Sequence, residues 1–237
     1  MSHFELVKEF APILHFHPEE NAHCCFPSDA EEIYEKYNGD WENFPISKTP
    51  KELDENAPCY YEIWLENNMT QIRYWFWYNY NDFPGTYFGL GDHLGDWEHV
   101  EVRLYKDRSI ESAIWLVSNH LQARVASMHR VLPGFTREDP ILGGNHLHVW
   151  VALGSHANYP SFESTPYCYA KIFCDKILNN GPIWRTESNL KKLGETNFRD
   201  FTGRWGDSKA PRSPKNEYNN RWRNAPDVEP IQDSFDS

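Results

Sequence analysis

The run Thr70-Gln71-Ile72-Arg73-Tyr74-Trp75-Phe76-Trp77-Tyr78-Asn79-Tyr80-Asn81 decides how this chain folds. It is rich in β-branched and aromatic residues and is bracketed by Asn67-Asn68 and Asp82, so it predicts a strand. Alternation along a strand puts Ile72, Tyr74, Phe76, Tyr78 and Tyr80 on one face and Arg73, Trp75 and Trp77 on the other. Beyond Arg73 both faces are aromatic. A strand that is apolar on two sides has to be covered on two sides, which places it centrally, between layers.

Outward from this run the same reading repeats. Cys59 to Glu66 predicts a hairpin partner joined through Asn67-Asn68. Trp97 to Tyr105, Ile110 to Ser118, Leu121 to Arg130 and His146 to Leu153 predict further strands, punctuated by glycine and proline. Such a chain is all-β, with its central strand covered on both sides. Helices are expected only at the periphery. Ser28-Asp29-Ala30-Glu31 is a capping box that opens a helix through Tyr37; Thr49-Pro50 starts a helical turn to about Asn56; Thr186 caps a third through Gly194. Tyr167 to Ile177 fits helix or strand. Trp205 and Trp222 lie in a C-terminal segment otherwise rich in Pro, Asn and Arg, so that segment is expected to wrap the sheet. At 237 residues, one domain over residues 1–226 with a frayed acidic tail over 227–237 accounts for the length.

The formal charge of −12 opposes nonspecific binding to nucleic acid and electrostatic docking to anionic membranes. It suits a cation or a neutral or cationic ligand. No apolar stretch is long enough to span a bilayer, and the start of the chain lacks the basic and apolar regions of a signal peptide. The five cysteines show no zinc-type spacing and read as reduced, buried thiols. Together these give a cytoplasmic expectation.

The chemistry concentrates in Asp82-Phe83-Pro84-Gly85-Thr86-Tyr87-Phe88-Gly89-Leu90-Gly91-Asp92-His93-Leu94-Gly95-Asp96-Trp97-Glu98-His99-Val100. Asp96 and Glu98 share a strand face with Val100, Val102 and Leu104, at the mouth of an apolar core. Two carboxylates so placed repel each other and lose water, which is costly unless a cation or a shared proton compensates. Oxygen ligands favour Mg²⁺, Ca²⁺ or Mn²⁺, and added imidazoles admit Fe²⁺ or Zn²⁺. The plainer alternative is an acidic turn with solvated carboxylates. His99 points to the opposite face. For His93 and His120 a ligand and a plain imidazole both fit. His15 and His17 read as polar strand-end residues and His156 as a satisfied structural histidine. Adjacent Ser155 and His156 do not have the geometry of a nucleophile and its base.

At these residues the chain resembles the vacuolar-protein-sorting-62-like family. The resemblance is carried by Gly95-Asp96-Trp97-Glu98-His99, by Ala11-Pro12-Ile13 with His17-Pro18-Glu19, by Val151 to Pro160 and by Gly203-Arg204-Trp205-Gly206. More distantly it is similar to the necrosis- and ethylene-inducing Nep-like proteins, whose motif is Gly-His-Arg-His-Asp-Trp-Glu. His93, Asp96, Trp97 and Glu98 match that motif, and Gly95 stands where its second histidine would be. The resemblance implies a β-sandwich with a divalent ion near Asp82, His93, Asp96, Glu98 and His120. The Nep-like family's secreted members damage plant membranes by binding sphingolipid head groups.

The leading functional expectation is a metal-dependent enzyme, of hydrolase, lyase or cyclase type, acting on a small organic substrate. Asp82, Asp96 and Glu98 would hold the ion, and His93 or His120 would act as acid or base. The second is a non-enzymatic binder of a lipid or glycan head group with the ion as bridge. The third is a purely structural ion.

Overall fold

The computed structural model describes residues 2–37, 47–66, 69–84, 89–105, 107–119, 122–128, 137–206 and 208–216. His120, the turn Asn67-Asn68, Trp222 and the tail 227–237 lie outside the described residues. Among the described residues the α-helices are α1 (His3–Glu9) and α2 (Ala30–Tyr37). The strands are β1 (Ile13–His15), β2 (Cys59–Glu66), β3 (Met69–Asn81), β4 (His93–Leu104), β5 (Ile114–Asn119), β6 (Gln122–Ser127) and β7 (Arg137–Glu138). They continue with β8 (Leu142–Gly143), β9 (His146–Val151), β10 (Asn158–Tyr159), β11 (Cys168–Tyr169), β12 (Phe173–Cys174), β13 (Ile183–Arg185) and β14 (Leu190–Lys192).

A seven-stranded sheet runs β14-β2-β3-β4-β5-β6-β7, and a five-stranded one runs β10-β9-β1-β13 with β8 on β9. The aromatic run is β3, central in the larger sheet. Its one face sends Ile72, Tyr74, Phe76 and Tyr78 into a core shared with Leu14, Leu147, Val149, Val151 and Trp184 of the smaller sheet. The chain is thus an all-β sandwich with peripheral helices. The opposite face of β3 presents Trp75 and Trp77, which pack with Trp97 under α2, Leu193, Phe198 and Trp205. Arg73 on that face is matched by its register partner Glu101, whose carboxylate also accepts from Arg103 Nε at 2.5 Å. Burial alone would raise the Glu101 pKa; the two guanidiniums outweigh it and lower it.

Several local expectations change. Thr49 to Asn56 forms no helix, because Thr49 O accepts from Asn79 Nδ2 and holds the segment against β3. Thr186 opens no α-helix; its hydroxyl donates to Pro12 O, and the segment forms a 3-10 turn at Thr186–Ser188, then β14 alongside β2, then a second 3-10 turn at Leu193–Glu195. Tyr167 to Ile177 resolves into the β11–β12 hairpin. The segment before β1 carries α1, with a capping box between Ser2 and Glu5. β4 begins at His93, four residues earlier than the alternation beginning at Trp97 indicates.

Candidate functional site

The end of β3, the start of β4 and the loop after β9 meet at one rim of the sandwich. Asp82 N–H donates to Gly154 O at 2.8 Å. A Cβ on Gly154, whose φ is +64°, would stand 2.1 Å from Asp82 O, so only glycine permits this approach. The contact brings His156 over β3, where its ring stacks on Tyr78 at 3.8 Å with the planes 3° apart.

Asp96 and Glu98 are both buried there, as the alternation predicts. For Asp96 the compensating cation, however, comes from the chain itself. His156 Nδ1–H donates to Asp96 Oδ2 at 3.1 Å, while Nε2–H faces Cys24 O at 3.2 Å and Glu20 Oε1 at 3.7 Å. Burial pulls the His156 pKa down, but its bonds to Asp96 and Glu20 more than reverse this and raise it to about 9. Cys25 N–H lies 3.1 Å from the same Nε2, a contact that suits only the neutral tautomer; two flanking carboxylates favour the imidazolium. Glu20 also accepts from Gly154 N–H with both oxygens, and burial raises its pKa against the pull of His156. Burial, then the charges of Glu98, Glu20 and Asp96, hold the Tyr78 hydroxyl protonated.

The expected ion site is therefore corrected. Among the described residues no group of three or more His, Cys, Asp or Glu is placed to hold a metal ion. Asp96 is bonded to His156. Asp82 pairs with Lys48 Nζ at 2.9 Å and lies 3.7 Å from His23. His93 donates from Nδ1 to Gly95 O at 2.8 Å. Alternation does not carry back to it, because Gly95 at φ +68° breaks the strand pattern and Leu94 packs with the tryptophan cluster. His120 lies outside the described residues. A metal-dependent hydrolase, lyase or cyclase, with His93, His120 and Glu98 catalytic, loses its ligand set, as does the Mg²⁺, Ca²⁺, Mn²⁺, Fe²⁺ or Zn²⁺ cofactor.

Gly95 also explains the departure from the Nep-like motif. A Cβ there would stand 2.1 Å from Trp205 O and 2.5 Å from Trp77 Cη2, so the C-terminal segment occupies the space a histidine would need.

Beside this cluster a pocket of about 330 Å³ opens on the surface. Asn81 and His93, register partners across β3 and β4, supply its polar groups, and Phe83, Tyr167 and Tyr169 supply aromatic walls. Cys168, between the two tyrosines, is disulfide-bonded to Cys174 across the hairpin. The foot of the hairpin is tied down by Asp175, which accepts from Ser155 Oγ at 2.6 Å and Tyr159 OH at 2.5 Å; Tyr159 OH in turn accepts from Tyr167 N–H at 2.8 Å. Cys24 and Cys25 are also joined, leaving Cys59 as the free thiol. The expectation of reduced thiols is corrected, and the cytoplasmic placement loses the support it drew from them.

His15 sits in a ring stack, 4.6 Å from Trp150 and with Nε2 2.8 Å from His148 Nδ1. Burial, then His148 and Arg185, lower its pKa to about 4. Sequence reading missed Glu20, which looks like a solvated strand-end acid beside Glu19, and the hairpin tyrosines, which lie far along the chain. The Cys168 and Cys174 spacing was the available signal for the hairpin.

No family model matches the chain. A curated relative, the putative vacuolar protein sorting-associated protein TDA6 of Saccharomyces cerevisiae, is 24% identical over a match covering 70% of this chain and 41% of its own length. The chain spans about two fifths of that relative. Similar solved structures include a non-toxic HaNLP3 protein, at 13% identity, TM-score 0.46, covering 82% of this chain and 77% of that one. Another is Necrosis and Ethylene inducing Protein 2 from the causal agent of cocoa's Witches Broom disease, at 15%, 0.45, 81% and 74%. A third is NLPPya in complex with glucosamine, at 16%, 0.46, 81% and 73%. The likeness to Nep-like proteins is distant, and at these scores it carries no argument about what this chain binds.

Proposed function

We propose that the protein is a non-enzymatic binder of a small, hydroxyl-rich head group, held in the pocket between Asn81, His93 and the β11–β12 hairpin. The observation that carries this reading is the pocket's composition: the aromatic residues Phe83, Tyr167 and Tyr169 line it together with the polar Asn81 and His93. Aromatic faces pack against the C–H faces of a sugar ring while polar groups bond its hydroxyls, a combination suited to orienting a ligand.

Acid–base chemistry is a poorer fit. The strongest candidate acid and bases, His156, Asp96 and Glu20, are buried and spend their bonds on one another and on backbone. A general acid or base has to reach the proton it moves.

The test is titration of the full chain with monosaccharides and, separately, with vesicles carrying glycolipid head groups, followed by mass analysis of the ligand. Saturable binding that weakens in Tyr169→Ala, with the ligand recovered unchanged, supports the reading. Binding of free sugar and vesicle alike identifies the sugar as the recognised part; vesicle binding alone assigns recognition to the lipid-borne form. Chemical conversion of the ligand, or no binding to either, contradicts it.

A further inference from the structure

We infer that the C-terminal segment carries a second binding site, for a phosphate dianion, between Arg204 and Arg212. It shares no lining residue with the rim pocket. Trp205 N–H donates to Pro211 O at 3.0 Å, and Ser213 N–H donates to Gly203 O at 2.8 Å. These two bonds frame Arg204 and Arg212 as opposite members of an antiparallel bridge. Such a pair is of the non-hydrogen-bonded kind, with Cα atoms only about 4.5 Å apart and both side chains leaving one face. Like charges so placed repel each other, and an anion between them removes the penalty.

The bridge is anchored from behind. Trp205 and Ser213 take the opposite parity and are fully buried, Trp205 within the tryptophan cluster. Arg204 and Arg212 are exposed. Pro211 lies beside the bridge and Pro214 just beyond it, which fixes φ there and lowers the cost of ordering the site on binding.

A pocket of about 270 Å³ lies at the pair, lined by Thr202, Gly203, Arg204, Arg212 and Asn216, with no carboxylate among these residues. Arg204 spends Nη1 on Ala210 O at 2.7 Å and forms no ion pair among the described residues. A guanidinium has five donors in a planar fork, a shape matched to the oxygens of a phosphate. Asn216 Nδ2 donates to Thr202 O at 2.6 Å, which leaves its Oδ1 facing Arg212 Nη1 at 3.4 Å. The exposed Thr202 hydroxyl forms no hydrogen bond among the described residues and adds a donor.

The local charge supports an anion despite the net −12. Residues 199–215 hold three arginines and two lysines against two aspartates. Arg199 is matched by Asp200 at 3.5 Å and Lys215 by Glu62 at 3.4 Å. Distant surface carboxylates are screened beyond about 8 Å at physiological salt, whereas a bound anion touches the pair directly. Two adjacent guanidiniums match a dianion; a monoanion leaves one of the two charges unanswered.

The test is an NMR titration of the full chain at pH 7.5 with inorganic phosphate, glycerol phosphate and dimethyl phosphate. The first two should bind about tenfold tighter than the monoanionic diester and shift the amides of residues 202–204 and 212–216. Arg204→Gln and Arg212→Gln should each weaken phosphate about tenfold, and Lys8→Gln, which removes a charge outside the pocket, should not. Arg204→Lys should bind less tightly than wild type, because it keeps the charge and loses the fork. Glycerol phosphate binding without inorganic phosphate assigns the organic monoester as the form recognised, and the reverse assigns the free ion. Equal binding of dimethyl phosphate overturns the dianion assignment. Shifts confined to other residues, no saturable shift, or affinity unchanged in Arg212→Gln overturns the site, and the wild-type shifts decide this even where a variant unfolds.

Discussion

His156 Nδ1 lies 3.1 Å from Asp96 Oδ2, with Glu20 Oε1 3.7 Å from the other ring nitrogen. One imidazolium thus stands beside Asp96, one of the two acids for which the isolated sequence calls for a cation, and beside Glu20. A buried charge set of this kind is held by mutual compensation, and removing one member leaves the others uncompensated in a low-dielectric site.

His156→Leu should therefore cost about 3–5 kcal/mol of stability, because it leaves Asp96 and Glu20 buried beside an apolar side chain. Urea denaturation of both proteins at neutral pH checks this. A loss under about 1 kcal/mol, the size of an exposed pair, would show that the carboxylates do not depend on the ring.

His156 and His15 act in opposite pH windows. His156 is raised from 6.5 to about 9, so its contribution is full below 6.5 and is lost as pH rises through about 9. His15 is lowered from 6.5 to about 4, so its contribution is full above 6.5 and is lost as pH falls towards about 4. The stability difference between wild type and His156→Leu should shrink on the alkaline side. That between wild type and His15→Phe should shrink on the acid side. Differences that stay flat with pH would contradict the assigned shifts.

Chelation should leave the fold untouched. With no described group of three metal-ligating side chains available, the melting temperature should agree with and without EDTA, and with added Mg²⁺ or Ca²⁺, to within about 1 °C. A drop of several degrees on chelation would restore a structural ion.

How much of this was legible in the sequence varies by region. The central strand was readable because tryptophan and tyrosine alternate on both of its faces, and so was the common direction of Asp96 and Glu98. The partner of those acids was not readable. His156 arrives through a glycine-dependent approach of Gly154 to Asp82, and Glu20 comes from a segment with no alternation to expose it. His93 was misplaced because Gly95 reverses the strand pattern between them, and a parity rule has no way to register a left-handed residue in advance. The hairpin wall was ambiguous for a different reason: Cys168 to Cys174 is too short for either period to establish itself, and its shape follows from the disulfide and from Asp175.

Gly95→His would reinstate the histidine of the Nep-like motif and should still damage this protein. The new side chain would start 2.1 Å from Trp205 O at a φ of +68°. A loss of about 3 kcal/mol or more is expected from overpacking and backbone strain. Denaturant unfolding measures it; a variant as stable as wild type would show that the Trp205 segment is free to move away.

The Cys168–Cys174 bond should matter to binding more than to folding, since the hairpin pairs with neither sheet. The double variant Cys168→Ser with Cys174→Ser should weaken head-group binding about tenfold by releasing Tyr169 from a preorganised wall, with little change in melting temperature. Titration of both proteins with the same sugar decides it, and unchanged affinity would show that the wall stands without the bond.

The most direct measurement is an NMR titration of the His156 imidazole across pH 6 to 10, with and without divalent metal. A ring protonated at both nitrogens at pH 7, deprotonating near pH 9 and indifferent to metal, is expected from its position between Asp96 and Glu20. A neutral ring at pH 7, or resonances that move on adding metal, would contradict the assignment of His156 as the cation of the site.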